Sequence, residues 1–452
     1  MLDILCDTCY ITYIRGVYIT VLPSFSLRKE QNMIRIIDSI MGSGKSTWMI
    51  NYINQHPRER YLIVVPYLTE ITRYKENVNK TLYEPHLRYG KSKYNDLIRL
   101  IRERRNIVTT HQLFLRIQPD ILELLKITNY VVIIDEALSI FDNMCFPTND
   151  LNVFKKCGII STDPHTGQIY WNEALEPETE YDYGSLLQLK EACLSNCAYD
   201  LSLGKTSNSK ITTYMWCMPP EIFECFDTVY ILTYLWNGSF NKLYFDFMGY
   251  KYVVYTLSGG HPVVFEDKTE EKELKARAQR LITLVDDPKL NNIGKKINGR
   301  HNPLSSGWYK THKNDEYIKS LKNNVLNFFK HRTKQPAKYN MWTTFETYKP
   351  KIQGNGYAGG KKNTCFLPVN TKGTNAFAHK TVLAYTVNIF MNPVMKHYFE
   401  LQGVEVDEDV FATSEMIQWI WRSAIRKGEP ITLYIPSDRM RNLFVKWLNN
   451  TD

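Results

Sequence analysis

From Met33 to about Tyr255, short apolar runs alternate with amphipathic stretches of roughly ten to fifteen residues. The runs are rich in Val, Ile and Tyr, a composition that favours strands. Repeats of this kind predict an α/β domain built on a parallel sheet. The run Val131–Ile134 is apolar throughout, which indicates a sheet covered on both faces. The predicted strands are Ile34–Asp38, Tyr61–Val65, Asn106–Thr109, Tyr130–Asp135, Thr212–Trp216 and Val229–Thr233.

The alternation weakens between Ile140 and Lys210, which predicts an insertion of roughly 70 residues in this first domain. A second alternating series starts near Tyr339 and predicts strands at Asn340–Phe345, Cys365–Asn370 and Ile431–Ile435, followed by a helix from about Ser437 to Leu448. The predicted organisation is an N-terminal extension (1–32) that contributes little to the fold, a first α/β domain (33–256), a basic connecting region (257–338) and a second α/β domain (339–452).

Length and composition narrow the class of protein. A chain of 452 residues is too long for one compact core. Its 44% hydrophobic and 23% charged residues exclude a disordered protein and favour a soluble one. The apolar stretch Ile4–Leu22 is interrupted by Asp7 and Arg15, so no membrane span is predicted. Nine cysteines without scaffold spacing favour the reducing cytoplasm over a disulfide framework or a zinc site.

The positive charge belongs to the second half of the chain. Residues 257–452 hold 30 Lys and Arg against 19 Asp and Glu, whereas residues 1–256 hold 26 against 28. This asymmetry fits a polyanionic partner, but surplus lysine also increases solubility. Charge alone leaves the two interpretations open.

A phosphate-binding loop follows the first predicted strand. The segment Ser39–Thr47 reads Ser-Ile-Met-Gly-Ser-Gly-Lys-Ser-Thr and leads into a helical pattern. In such loops, small residues let the backbone approach a triphosphate, a lysine contacts the β and γ phosphates, and a hydroxyl binds Mg²⁺. Ser39 stands where the pattern usually has its first glycine. We therefore predict ATP and Mg²⁺ as ligands, with ATP bound by Gly42, Ser43, Gly44, Lys45, Ser46 and Thr47.

An acidic pair ends another fully apolar strand, at Asp135 and Glu136. In nucleotide hydrolases, one such carboxylate holds the magnesium shell and the other polarises the attacking water. Acidic residues are also favoured at a helix N-terminus, which is the purely structural alternative. Together with the phosphate loop, the pair predicts hydrolysis, with Ser46 and Asp135 as the metal ligands.

The order of these elements resembles the superfamily 2 helicases of the DEAD/DEAH type, whose motor is a pair of RecA-like domains with ATP between them. Gly42–Ser46 matches motif I and Asp135–Ala137 matches motif II. Leu232-Thr233-Tyr234 occupies the place of motif III, although it differs from the commoner Ser-Ala-Thr. Further resemblances to the DNA-contacting motifs imply that nucleic acid is bound by Pro66, Thr109, Thr110, His111, Thr344, Gly373, Thr374 and Asn375.

The segment Gln418–Arg426 resembles motif VI, with Gln418, Arg422 and Arg426 spaced four apart on one predicted helical face. In the family, one arginine acts as a finger on the γ phosphate. The last arginine lies one residue later than in the usual spacing, which leaves open which arginine is the finger. The catalytic residues that the resemblance implies are Lys45, Asp135, Glu136, Gln418, Arg422 and Arg426. Within the family, the chain looks most like uncharacterised replication helicases of phages.

A basic segment rich in aromatic residues, Lys289–Lys338, is the first candidate for contact with a DNA strand. Its lysines, Lys310 and Lys313 among them, suit phosphates, and its aromatic side chains suit unpaired bases. The alternative is a helix at Asp315–His331 whose apolar face is buried and whose lysines are solvated. The aromatic candidates are Trp308, Tyr309, Tyr317, Phe328 and Phe329.

The resulting hypothesis is an ATP-dependent helicase or translocase that acts on single-stranded or forked DNA in phage genome replication, with RNA not excluded, other replication proteins as further partners and no membrane. One alternative is a nucleotide-gated origin-binding protein that does not unwind processively. Another is a viral DNA-packaging ATPase, which needs a nuclease domain with clustered carboxylates. The acidic residues Glu405, Asp407, Glu408 and Asp409 lie in one loop-like stretch.

Overall fold

The computed structural model describes residues 10–14, 17–21, 33–87, 92–176, 184, 186–203, 210–265, 268–296, 302–354, 357, 364–371 and 375–449. In chain order, its strands are β1 (Tyr10–Ile14), β2 (Val17–Val21), β3 (Met33–Asp38), β4 (Arg60–Val65), β5 (Ile107–Thr110), β6 (Tyr130–Asp135), β7 (Phe141–Pro147), β8 (Ile160–Thr162), β9 (Ile169–Trp171), β10 (Ala198–Tyr199), β11 (Ile211–Cys217), β12 (Thr228–Thr233), β13 (Tyr252–Ser258), β14 (His261–Val264), β15 (Ile282–Leu284), β16 (Asn340–Thr343), β17 (Val382–Tyr385) and β18 (Ile431–Tyr434).

The α-helices are α1 (Lys45–Gln55), α2 (Leu68–Asn77), α3 (Lys93–Arg102), α4 (His111–Phe114), α5 (Pro119–Lys126), α6 (Thr148–Lys156), α7 (Leu186–Leu194), α8 (Phe240–Phe247), α9 (Thr269–Leu281), α10 (Pro288–Asn291), α11 (Ser306–His312), α12 (Glu316–Asn327), α13 (Lys349–Ile352), α14 (Pro393–Leu401), α15 (Glu408–Ile420) and α16 (Asp438–Asn449). Several begin at a side chain that accepts a backbone N–H, for example Asp407 before α15 and Ser305 before α11. None of the helices in the described ranges has both the length and the apolar character needed to cross a membrane.

Seven strands form the sheet of the first lobe, which we define as the elements from β3 to β14. Their order is β14-β13-β3-β12-β6-β4-β5, with every pairing parallel except that of the edge strand β14. The central strands are buried on both faces, as their apolar sequences predict. Asp38 pairs with Thr233, and Leu232 pairs with Asp135, so the carboxyl ends of β3, β12 and β6 lie side by side. Polar residues at these ends therefore meet at one edge of the sheet.

The prediction that the strand Thr212–Trp216 belongs to the parallel sheet is wrong. β11 pairs antiparallel with β7 and β10 in a separate three-stranded sheet. Its polar first half differs from the fully apolar strands of a parallel sheet. The stretch 141–217 has its own apolar core, which includes Phe146, Phe154, Trp171 and Tyr214. That this stretch is an insertion into a simpler domain stays a prediction.

The second lobe, which we define as the elements from β15 to α16, is built on a parallel sheet with the order β15-β18-β17-β16. The predicted strand Cys365–Asn370 is wrong, because only Phe366 forms a bridge, to Trp342. The strand in the sheet is β17, which the sequence pattern does not predict. The protein is thus a mixed α/β protein with a parallel sheet in each lobe.

Residues 257–338 are not a separate connecting region. Within this range, β14 completes the first sheet and β15 belongs to the second. Helices α11 and α12 pack on the second sheet through side chains such as Trp308 and Leu321. Of the predicted extension 1–32, the structure describes only the backbone of the hairpin formed by β1 and β2.

Candidate functional site

The phosphate loop connects β3 to α1. Gly42 and Gly44 have φ angles of 90° and 87°, in the left-handed region that glycine adopts without strain. The Lys45 ammonium donates hydrogen bonds to the carbonyls of Ser39 and, at 3.2 Å, Ile40. The loop therefore presents its glycines, Lys45 and the first turn of α1 at the carboxyl end of β3, as a triphosphate site requires.

Ser39, which replaces the usual first glycine, has a structural role. Its hydroxyl oxygen accepts the backbone N–H of Leu257 at 2.7 Å and lies 2.9 Å from Thr256 Oγ1. Both partners belong to β13, the neighbouring strand. The serine therefore ties the start of the phosphate loop to the sheet.

Lys45 lies among three carboxylates at the phosphate loop. Burial lowers the pKa of Lys45 to about 8, and the carboxylates of Asp38, Asp135 and Glu136 oppose this shift. Burial also raises the pKa of Asp38 to about 6. One Asp38 oxygen accepts the backbone N–H of Trp236 at 2.9 Å. The positive charge of Lys45 is thus held in a buried, acidic surrounding.

Asp135 is the last residue of β6, and its two oxygens have different partners. Oδ1 accepts the Ser46 hydroxyl at 3.3 Å, and Oδ2 accepts the Tyr74 hydroxyl at 2.9 Å. Hard oxygen ligands of this kind suit Mg²⁺, which proteins bind through one or two carboxylates together with water and substrate phosphates. Ser46 and Asp135 therefore fit the predicted metal site. Within the described ranges, no group of three or more His, Cys, Asp or Glu forms a cage for a metal ion.

Glu136 follows with a φ angle of 67°, a conformation that costs a non-glycine residue roughly 1–2 kcal/mol. Its backbone N–H donates to the Leu232 carbonyl at 3.1 Å, which holds this turn against β12. Strain of this kind concentrates at functional sites. The turn aims the Glu136 carboxylate away from the sheet and toward the second lobe.

Arg422 of the second lobe meets Glu136 there, with 3.3 Å between Arg422 Nη2 and Glu136 Oε1. The Arg422 side chain is only 7% exposed. Arg422 Nε and Glu136 Oε2 are buried without a hydrogen-bond partner among the described residues. Because buried polar atoms are rarely left unpaired, these two atoms fit a site that receives a polar ligand.

The three predicted residues of motif VI do not lie on one helical face. α15 ends at Ile420, where the Ser423 hydroxyl donates to the Ile420 carbonyl at 2.7 Å. Gln418 is therefore on the helix, Arg422 is in the following turn, and Arg426 is on the short 3₁₀ helix Ala424–Lys427. The sequence spacing cannot reveal this break, because no proline or glycine marks the helix end.

All three nevertheless line a cavity of about 920 Å³ between the lobes, opposite the phosphate loop. Arg426 donates to Asn375 Oδ1 at 2.6 Å, and Gln418 donates to Ser414 Oγ at 3.0 Å. The first lobe contributes Gly42, Gly44, Lys45, Ser46, Thr47, Asp135 and Glu136 to the same cavity. Ser43 is placed in the loop between the two glycines but does not line the cavity. The cleft thus brings together the predicted phosphate, metal and arginine residues.

Two comparisons relate this chain to known proteins, one over its C-terminal part and one over most of its length. Residues 276–448 match the family model described as the YonV C-terminal Rossmann-like domain. Over 427 residues, the chain is 36% identical to the SPbeta prophage-derived uncharacterized protein YonV of Bacillus subtilis (strain 168), an alignment that covers 92% of this chain and 99% of that protein. The chain belongs to the YonV family. The parallel sheet from β15 to β18 lies within the Rossmann-like domain of that family.

Two solved XPD structures are similar to this YonV family chain. One, an XPD helicase, has a TM-score of 0.47 at 12% sequence identity, covering 93% of this chain and 94% of that one. The other, an apo form of XPD, has a TM-score of 0.46 at 12% identity, covering 93% of this chain and 95% of that one.

Of the predicted nucleic-acid residues, several lie in or beside the cleft of this YonV family chain. His111 is buried, with its Nε2 3.0 Å from the Asp135 carbonyl, and Pro66 lines the cavity. Asn375 bonds Arg426. Thr109 and Thr344 are each 1% exposed, so their side chains do not reach the surface. Thr110 is half-buried at the end of β5. Gly373 and Thr374 lie outside the described residues.

The basic segment Lys289–Lys338 has exposed lysines and a mostly buried aromatic set. Lys310 and Lys313 are exposed. Trp308, Tyr309, Phe328 and Phe329 belong to the core of the second lobe, so their predicted stacking on bases is wrong. Tyr317 alone of the five candidates is exposed, at 37%. The buried face of α12, through Ile318, Leu321 and Val325, confirms the alternative of a helix packed on a core.

Two residues near the cleft were missed. Tyr74 and Arg73 lie on α2, which follows the strand β4 and has an ordinary amphipathic pattern. Arg73 lines the cavity, and Tyr74 contacts Asp135. In a single sequence nothing distinguishes these two residues from other residues of a helix that packs on a sheet.

Replacing Asp38 with asparagine is expected to raise the melting temperature of this YonV family protein at pH 8. The ordinary pKa of an aspartate is 3.8, so the folded value of about 6 means that folding opposes ionisation. The ionised Asp38 therefore lowers the free energy of unfolding by roughly 2–3 kcal/mol at most. This loss of stability is fully present above pH 6 and disappears below about pH 4. Asparagine keeps an oxygen for the Trp236 N–H. Thermal unfolding at pH 8, 6 and 4.5 measures the effect.

The control is Asp150→Asn, which changes the same charge at an exposed position on α6. A gain for Asp38→Asn that is equally large at pH 4.5, or a loss of stability at pH 8, contradicts the stated cause.

Proposed function

We propose that this YonV family protein is an ATP-driven motor that moves along nucleic acid, as a helicase or translocase with two RecA-like lobes. The observation that carries the proposal is the approach of Arg422, from the second lobe, to within 3.3 Å of Glu136 in the first lobe. A site completed by a second lobe makes hydrolysis depend on how the lobes are arranged. Such dependence is what a motor requires, because lobe movement and nucleotide state then change together.

Each group in the cleft has a role that follows from its position. The glycine backbone, Lys45 and the first turn of α1 bind the triphosphate. Ser46 and Asp135, which lie 3.3 Å apart, would hold Mg²⁺, and the ion would neutralise charge on the phosphates. Glu136 accepts a proton from the attacking water, and Arg422 stabilises the charge that develops on the γ phosphate. Gln418 and Arg426 line the same cavity and complete its wall from the second lobe.

The contact across the cleft is supported by a second junction between the lobes. The Tyr234 hydroxyl donates to Glu271 at 2.8 Å and accepts the indole N–H of Trp447 at 2.6 Å. The Tyr234 carbonyl accepts the Ser414 hydroxyl at 3.4 Å. Tyr234 directly follows β12 at the predicted motif III, so a change at the nucleotide site has a short path to α15 and α16.

The nucleic-acid partner that we propose is single-stranded or forked DNA, and RNA has the same backbone chemistry. The exposed lysines Lys310 and Lys313 suit phosphate contacts, and Tyr317 offers one exposed ring for stacking. The similarity to a prophage-derived protein supports a role in a phage. Within that role we propose genome replication in the host cytoplasm, with other replication proteins as partners.

The acidic stretch is not one loop, because Glu408 and Asp409 form the first turn of α15, and its structural roles do not favour the DNA-packaging alternative. Asp407 accepts the backbone N–H groups of Asp409 and Val410 at the start of α15. Asp409 pairs with Arg439 at 2.6 Å. These carboxylates are thus committed to a helix cap and an ion pair and do not converge on two metal ions, as a nuclease site requires.

Single-stranded DNA is expected to stimulate ATP hydrolysis by the purified protein about tenfold or more, since a nucleic-acid-driven lobe closure brings Arg422 to the substrate. Steady-state ATPase rates with and without single-stranded DNA measure this, with single-stranded RNA as a parallel sample. Lys45→Ala carried through the same purification gives the background. An ATPase rate that neither single-stranded DNA nor single-stranded RNA changes contradicts the proposed motor function. Stimulated hydrolysis without strand displacement on a forked duplex favours translocation or origin binding over unwinding.

A further inference from the structure

Tyr74 connects α2 to the acidic residue that ends β6. Its side chain is fully buried, and its hydroxyl donates to Asp135 Oδ2 at 2.9 Å. The other carboxylate oxygen, Oδ1, faces the Ser46 hydroxyl at 3.3 Å. The two oxygens of Asp135 are therefore held from two elements, one by α2 and the other by the phosphate loop helix α1.

This arrangement fixes an otherwise soft torsion. The rotation of an aspartate carboxylate about χ2 is broad, so a single hydrogen bond at Oδ1 does not define its plane. A donor at Oδ2 defines that plane and directs Oδ1 toward Ser46. Tyr74 is itself immobilised, because it packs in the same apolar cluster as Met49 and Ile53 of α1. The Tyr74 hydroxyl and the phosphate loop helix thus keep a constant spacing.

The hydrogen bond between Tyr74 and Asp135 is compatible with an ionised carboxylate. A carboxylate only accepts hydrogen bonds, and the Tyr74 hydroxyl donates one to it. A divalent cation requires an ionised and correctly aimed carboxylate. Partners that orient a metal ligand usually matter almost as much as the ligand itself.

We propose that Tyr74 is a positioning residue that aims the Asp135 carboxylate at the divalent metal ion of the nucleotide site, an inference that rests on the proposed function. The metal-binding side of the site is then built from three elements of the first lobe: α1 through Ser46, β6 through Asp135 and α2 through Tyr74.

The test is Tyr74→Phe, which removes one hydroxyl and keeps the ring in the core. The binding of a fluorescent ATP analogue is measured in EDTA and across a MgCl₂ titration, together with ATP hydrolysis over the same titration. The Mg²⁺ concentration at half-maximal binding and hydrolysis is expected to rise about tenfold to a hundredfold. The affinity for the analogue in EDTA is expected to stay within about twofold of the parent value, because Tyr74 lies behind Asp135 and does not line the cavity.

Tyr61→Phe is the matched control. Tyr61 is also fully buried in the same apolar cluster. Its hydroxyl donates to Glu59 at 2.8 Å, at the N-terminal end of β4. This variant removes the same atom type from the same core and is expected to keep the parent dependence on Mg²⁺. Melting temperatures of both variants show whether the core losses are comparable.

Three results overturn the inference while leaving the proposed function intact: an unchanged Mg²⁺ dependence in Tyr74→Phe, an equal shift in Tyr61→Phe, or an equal loss of affinity with and without Mg²⁺. If the parent protein itself binds no nucleotide with Mg²⁺ present, the proposed function fails and the role of Tyr74 fails with it. The parent measurement therefore separates the two failures.

Discussion

Arg422→Ala is expected to slow ATP hydrolysis by about a thousandfold at saturating ATP and single-stranded DNA. Arg422 is the second-lobe side chain that reaches the acidic pair, at 3.3 Å from Glu136, and it is almost completely buried. A guanidinium in this position stabilises charge in the transition state more than in the ground state. The loss should therefore fall on kcat, with a small change in KM, as steady-state kinetics over a range of ATP concentrations will show.

Two variants calibrate this result. Arg422→Lys keeps the positive charge but not the planar fork of donors, so its rate should lie between those of the parent and of Arg422→Ala. Lys427→Ala removes an exposed charge five residues later and should leave the rate within about twofold of the parent. Protein stability is followed in parallel, because removal of Arg422 leaves the half-buried Glu136 carboxylate without its partner.

Arg426→Ala decides which arginine is the finger, a question that the sequence spacing leaves open. Arg426 donates to Asn375 at 2.6 Å and lies on the 3₁₀ helix beyond the turn. We expect a smaller loss of kcat for Arg426→Ala than for Arg422→Ala. A loss that is as large or larger assigns the role to Arg426 and contradicts the placement of Arg422.

The parts of the fold that the sequence predicts are those with a strong local signal. β3, β4, β5, β6 and β12 each contain consecutive Val, Ile, Leu or Tyr residues, and each ends within one residue of its predicted end. A parallel sheet buried on both faces imposes this pattern directly. The phosphate loop and the acidic pair are equally local, since their residues stand together in sequence and directly follow such strands.

The parts that the sequence does not predict depend on distant packing. β17 is an apolar run of four residues, too short to be told from a buried loop by periodicity. β11 has the length and composition of a sheet strand, and its antiparallel pairing with β7 is decided by a partner 70 residues earlier. The end of α15 at Ile420 is set by a turn whose Ser423 hydroxyl bonds back to the helix.

The sequence does not predict the site residue Tyr74, because its role also depends on packing between distant parts of the chain. Tyr74 stands 61 residues from Asp135, and its role exists only because α2 packs across the end of β6. Helix patterns report which face is buried and not which buried hydroxyl meets a carboxylate. Conversely, the sequence predicts that the aromatic residues of the basic segment can stack on bases, but four of the five are buried in the core of the second lobe.

Glu136→Gln is expected to reduce kcat about a hundredfold to ten-thousandfold, the range typical of removing a general base. Glutamine keeps the size of the side chain and adopts the same left-handed backbone, at φ 67°, no less readily than glutamate. It accepts no proton from water, so the chemical step fails while the nucleotide is still bound. Single-turnover hydrolysis and nucleotide-binding titrations distinguish these two steps.

Glu70→Gln provides the comparison, because Glu70 lines the smaller cavity that also contains Glu136, Arg422 and Arg426. Its carboxylate pairs with Arg73 at 3.3 Å, on the same helix. Neutralising this carboxylate should change kcat by less than about threefold. If Glu70→Gln is as inactive as Glu136→Gln, the loss reflects the general charge of the cleft and not a base at Glu136.

The double variant Arg422→Ala with Glu136→Gln tests whether the contact between the lobes is one catalytic unit. If Glu136 activates the water and Arg422 stabilises the same transition state, either loss alone already prevents the step that the other assists. The double variant should then hydrolyse ATP no more than about tenfold slower than the slower single variant, as members of one catalytic constellation do. Rate losses that multiply in full show two independent contributions, and the 3.3 Å approach of the two side chains is then a feature of packing alone.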